Sequence, residues 1–164
     1  MTTTTVKTKK IKRENDLVEL FVRGIVVGPG HFRPVLILKG VDDEDVLPVW
    51  LSNMEFDSMD QENQSVLKSS YFHQVTKKIL KEIGLQLEKC CFQDLIGHLQ
   101  YVDLHFSGEG LSKTVRTTAE ECMSLCLSTG TRYFASVEYM DRCRAMNTEL
   151  LATGFDVPNH PYVM

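Results

Sequence analysis

At 164 residues, with 43% hydrophobic and 24% charged residues, the chain has the composition of an ordinary globular domain. No apolar run approaches the roughly 20 residues that a membrane-spanning helix needs, so no membrane association is expected. The net charge of −4 is unevenly placed: residues 1–14 hold Lys7, Lys9, Lys10, Lys12 and Arg13 against Glu14, which is +4, leaving −8 on the rest. A body that acidic repels a phosphate backbone unless cations gather on one face.

Residues 1–14 read as a basic, disordered leader. No apolar stretch follows its cations, so it is not a secretory signal. The five cysteines, Cys90, Cys91, Cys122, Cys126 and Cys143, are odd in number and two are adjacent, a poor disulfide framework. Free thiols in a reducing compartment fit better, and a cytoplasmic location is expected.

From about residue 15 the pattern predicts three short strands: Leu17 to Val27, Arg33 to Lys39 and Val46 to Leu51. Gly28-Pro29-Gly30 and the acidic Asp42 to Asp45 mark the turns between them. Such closely spaced strands predict an antiparallel meander, with Trp50 in the core. Ser52 followed by Glu55 has the form of a capping box opening a helix from Asn53 toward Gln64. A second helix starts at Ser69 or Ser70, carries Val75, Ile79 and Ile83 at helical spacing, and ends at Gly84.

Strand character returns from Leu85 to Leu95 and from Leu99 to Phe106 around a turn at Gly97. A loop over Ser107 to Gly110 leads to a short edge strand closed by Val115. A helix from Ala119 to Leu127 ends at Gly130, a last strand covers Tyr133 to Val137, and a final helix runs from Met140 to Leu151. This order predicts an α+β fold: a mixed, largely antiparallel sheet with three or four helices packed on it. The single domain covers 15–153, and residues 154–164 form an irregular tail.

Three segments, in order, resemble the bifunctional nuclease (BFN) domain family. Leu47-Pro48-Val49-Trp50-Leu51 followed by Glu55 resembles that family's Leu-Pro-Ile-Trp-Ile-Gly-x-x-Glu-Ala signature. Phe72-His73-Gln74-Val75 before Leu80-Lys81-Glu82-Ile83-Gly84 resembles its Thr-His-Asp-Leu helix and following Leu-Gly. Leu125 to Phe134 resembles its Leu-Ala-Leu-Arg-x-Gly-x-Pro-Ile-Phe-Val segment. Together these span most of the chain. The resemblance implies a mixed α+β fold, a homodimer, and nuclease activity on DNA and RNA. The chain departs from the pattern at Arg116-Thr117-Thr118-Ala119-Glu120-Glu121, where the family reads Asp-Ala-Arg-Pro-Ser-Asp. His73, Glu55 and Glu121 remain as polar residues aligned with family positions.

Phosphodiester hydrolysis needs an activated water and neutralisation of phosphate charge. Glu55, His73 and Glu121 are the catalytic candidates, and Mg²⁺ or Mn²⁺ is the cofactor such carboxylates would hold. Arg116, with Lys7, Lys9, Lys10, Lys12 and Arg13, supplies candidate nucleic-acid contacts. Each candidate also has a purely structural reading: Glu55 as a capping-box residue, Glu121 as a first-turn acid favoured by the helix dipole, His73 as a satisfied histidine. Cys122 and Cys126 share one helix face, with Cys90, Cys91, His98 and His105 in neighbouring strands. No C-x₂-C knuckle is present, so the cysteines read as small buried residues and zinc is not expected. Two functions therefore stand open: a nuclease with a degenerate motif, or a non-catalytic, dimeric interaction or regulatory module.

Overall fold

A computed structural model of the chain describes residues 17–26, 34–41, 46–51 and 73–152, with residues 146–152 as backbone alone. In chain order these form β1 (Leu17–Val26), β2 (Val35–Lys39), β3 (Val46–Trp50), α1 (Gln74–Glu82), β4 (Leu85–Ile96), β5 (Leu99–Gly108), β6 (Leu111–Thr118), α2 (Ala119–Thr129), β7 (Arg132–Ser136) and α3 (Val137–Ala152). The seven strands make one sheet in the order β3-β2-β1-β7-β4-β5-β6. Every neighbouring pair is antiparallel except β4 and β7, which run parallel. A parallel pair needs a long crossover, and β5, β6 and α2 supply it. The fold is α+β, as the order of the elements predicts. The predicted helix from Asn53 to Gln64 and the start at Ser69 or Ser70 lie outside the described residues, as do Glu55, the leader and the tail.

β1, β2 and β3 form the expected meander, and their alternation decides what is buried. Leu36 and Leu38 pair with Val49 and Leu47, and all four are fully buried on one face. The same period of two turns Val46 and Trp50 outward. Trp50 is 47% exposed, which corrects its expected place in the core: parity with Leu47 and Val49 outweighs its size.

The β4–β5 hairpin turns at Gly97, whose φ of 61° suits a residue without Cβ. His98 stands in that turn, not in a strand. β5 and β6 pair from Tyr101↔Thr118 to Gly108↔Leu111, so the expected loop shrinks to Glu109 and Gly110, and the edge strand has eight residues. Its first six residues are exposed, so little hydrophobic alternation announces it. At the other end, Ser136 Oγ accepts the Tyr139 N–H at 3.1 Å and starts α3 at Val137, three residues before the expected Met140.

The core lies between one face of the sheet and the helices. Leu20, Tyr133, Cys90 and Leu104 form a row across β1, β7, β4 and β5, and Ala135, Phe92 and Val102 form the next. Ala119, Cys122, Met123 and Cys126 of α2 and Tyr139, Met140 and Cys143 of α3 pack on these rows. Leu87 belongs to the same core as Cys90 and Phe92, although a regular strand would send it to the other face. A register shift between Leu87 and Lys89 reconciles them, and so aims Cys90 at α2.

Candidate functional site

His73 directly precedes α1, and its Nε2 lies 2.5 Å from Ser124 Oγ on α2. The residue before α1 therefore meets α2 in space, through a buried serine that the sequence does not single out. Partial burial, assisted by the charge of Lys77 one turn along α1, holds the His73 pKa below its ordinary value. Burial thus disfavours the imidazolium, and one ring nitrogen is committed to Ser124.

Glu121 lies one turn before Ser124 on α2. Its Oε2 accepts the Thr117 hydroxyl at 2.6 Å, the Thr118 hydroxyl at 2.9 Å and the Thr118 N–H at 3.2 Å. Thr118 is the N-cap of α2 and Glu121 the third helical residue, so the two close a capping box. These hydrogen bonds, that from Thr117 foremost, lower the Glu121 pKa. The Thr-x-x-Glu spacing was a readable signal for this role.

Arg116 is elsewhere. Pairing places Thr117 beside Val102 under the helices and Arg116 beside Asp103 on the reverse face of the sheet. There its guanidinium donates to Asp94 and lies 5.8 Å from the centre of the Tyr101 ring. Strand alternation thus separates it from the face that α2 covers. Glu55, Lys7, Lys9, Lys10, Lys12 and Arg13 lie outside the described residues. Of the predicted site residues the structure brings together the elements bearing His73 and Glu121, and it holds Arg116 apart from them.

The reverse face carries further polar contacts. Arg132 Nε donates to Glu19 at 2.7 Å, and Thr114 Oγ1 lies 3.1 Å from His105 Nδ1. An open concavity of about 640 Å³ lies beside the first of these, between Leu17, Glu88, Lys89, Arg132 and Phe134. Its wall mixes both signs of charge, with Glu88 beside the cross-strand neighbours Lys89 and Arg132.

A second assembly lies inside the protein. The Sγ atoms of Cys90, Cys122 and Cys126 all fall within 4.8 Å of one another, and all three residues are buried. None is in a disulfide. Contacts from the Cys126 and Cys90 thiols favour the thiolate at Cys122 and draw its pKa down, while contact with Cys122 and Cys126, together with burial, pushes Cys90 up. Cys91, on the opposite face of β4, and Cys143, on α3, stand apart from this cluster.

A scan against protein-family models finds no match to the chain, and no curated protein matches it. Among the described residues, no helix is long and apolar enough to cross a membrane.

Proposed function

We propose that the chain is a BFN-like domain acting as a non-catalytic, self-associating interaction module. The observation that carries this reading is that its described polar candidates are committed to partners within the chain. Glu121 caps α2, His73 bonds Ser124, and Arg116 pairs with Asp94 on the other face of the sheet. A phosphodiesterase needs a cation beside its acid and base to neutralise the phosphate, and Arg116 does not stand there. The acidic body further disfavours a nucleic-acid substrate.

Self-association is supported by the sheet's two ends. Among the described residues β3 pairs only with β2, and β6 only with β5. The outer strands expose Val46 and Trp50 at one end, and Leu111 and Val115 at the other. Open edges with apolar side chains are what a second strand or a second copy would cover.

The nuclease reading keeps one favourable observation, the meeting of the His73 and Glu121 elements. Purified full-length chain incubated with single-stranded DNA and RNA in Mg²⁺ or Mn²⁺ separates the two. Light scattering at a dimer mass, with cleavage no greater than that of a His73→Ala, Glu121→Ala double variant, is expected. Metal-dependent cleavage that this variant loses would overturn the non-catalytic reading, and a monomer mass would overturn self-association.

A further inference from the structure

We propose that Cys90, Cys122 and Cys126 form a buried three-thiolate site for a zinc ion, with the phenol oxygen of Tyr133 at the fourth position. The three sulfurs come from two elements. Cys122 and Cys126 are one turn apart on α2, and the register shift in β4 turns Cys90 toward them. Tetrahedral zinc with Zn–S bonds of about 2.3 Å sets its sulfurs about 3.8 Å apart. From a spread of at most 4.8 Å, a contraction of about 1 Å closes the site.

Tyr133 is the independent observation. It is Cys90's direct neighbour across the β4–β7 pair, and it is 4% exposed. Its hydroxyl is buried with no hydrogen-bond partner in the protein. Small apolar packing explains a buried cysteine, but not three sulfurs gathered within 4.8 Å whose cross-strand neighbour Tyr133 keeps a buried hydroxyl without a partner. A disulfide would use two of the sulfurs and leave both the third and the phenol as they are.

A cavity of about 430 Å³ opens between β1 and the end of α2, and Cys126 and Tyr133 are part of its wall, with Phe21, Leu127 and Thr131. On binding, three S–H protons leave and three Zn–S bonds form. Tyr133 keeps its proton and offers a lone pair, so the divalent ion and three thiolates carry one net negative charge. Thiolate sulfur selects zinc over Mg²⁺ or Ca²⁺, which prefer oxygen.

The test uses full-length, reduced, chelator-stripped protein titrated anaerobically with Zn²⁺, and with Co²⁺ as its spectroscopic stand-in. The expected result is one ion per chain, proton release, and a thiolate-to-cobalt charge-transfer band of three-sulfur intensity. That band should persist in a Cys91→Ser, Cys143→Ser double variant and vanish in Cys126→Ser. Tyr133→Phe should keep the band but weaken affinity about 10-fold and alter the cobalt ligand-field spectrum. Should Cys126→Ser fail to fold by circular dichroism, Cys122→Val takes its place. No saturable uptake by the Cys91→Ser, Cys143→Ser protein, or uptake without the charge-transfer band, would overturn the proposal.

Discussion

Glu121 commits a single carboxylate oxygen to three donors, and this local chemistry defines the start of α2. An N-cap threonine satisfies backbone N–H groups that no helical carbonyl can reach. Thr118→Ala should therefore cost about 1 kcal/mol of stability, read as a lower urea midpoint at unchanged slope. A midpoint equal to the parent's would mean that the box contributes nothing. His73 carries a different consequence. Its pKa in the folded chain lies below the ordinary 6.5 because burial, then Lys77, disfavours the imidazolium. As pH falls, the unfolded chain takes up this proton first, so the folded state loses stability below 6.5 and regains it above. His105 shifts in the same direction, chiefly through burial. The urea midpoint should fall between about pH 8 and about pH 5, and His73→Gln with His105→Gln should flatten that decline. An unchanged pH profile in the double variant would remove both histidines from the account.

At the scale of elements, the register shifts in β4 do what its residue types alone do not. They let Leu87, Cys90 and Phe92 share one face, and Phe92 then meets Tyr139 of α3 with ring centres 5.7 Å apart. Phe92 is fully buried, so Phe92→Ala removes apolar contact and leaves a cavity between sheet and helix. A loss of roughly 3–5 kcal/mol is expected in equilibrium unfolding, and a loss below about 1 kcal/mol would show that the site collapses around the smaller residue. Gly130 ends α2 in the left-handed region at φ 67°, and the N–H groups that follow α2 return to Cys126 and Leu127 carbonyls. That ending was legible as a glycine after an apolar helical run. The full length of β6 was not, because an exposed edge strand pairs through its backbone and needs no hydrophobic alternation.

The whole molecule has two unlike sides. One face of the sheet is sealed by α2 and α3, and the other carries the Glu19–Arg132 and Arg116–Asp94 ion pairs. Exposed pairs of this kind contribute little to stability, and they occupy the guanidinium groups of Arg116 and Arg132. Any binding of single-stranded DNA should then come from the five cations of the leader. Full-length chain should bind weakly, with log K falling against log salt at a slope of at most about −3.5, and deletion of residues 1–14 should abolish binding. Equal binding by the truncated chain would place the nucleic-acid contacts on the body instead.

Strand and helix types, the early meander, the glycine stops and the α+β class are all written in local periodicity and turn chemistry, which act over a few residues. Contacts between residues distant in the chain are not. Ser124 beneath His73, Arg116 on the far side of the sheet, an outward Trp50, and three thiols converging beside Tyr133 depend on pairing register and on how α2 lies across the strands. A shift of one residue in β4 would turn Cys90 away from α2 while leaving the composition unchanged. Only the folded chain decides such questions, because register is set by packing the whole core at once.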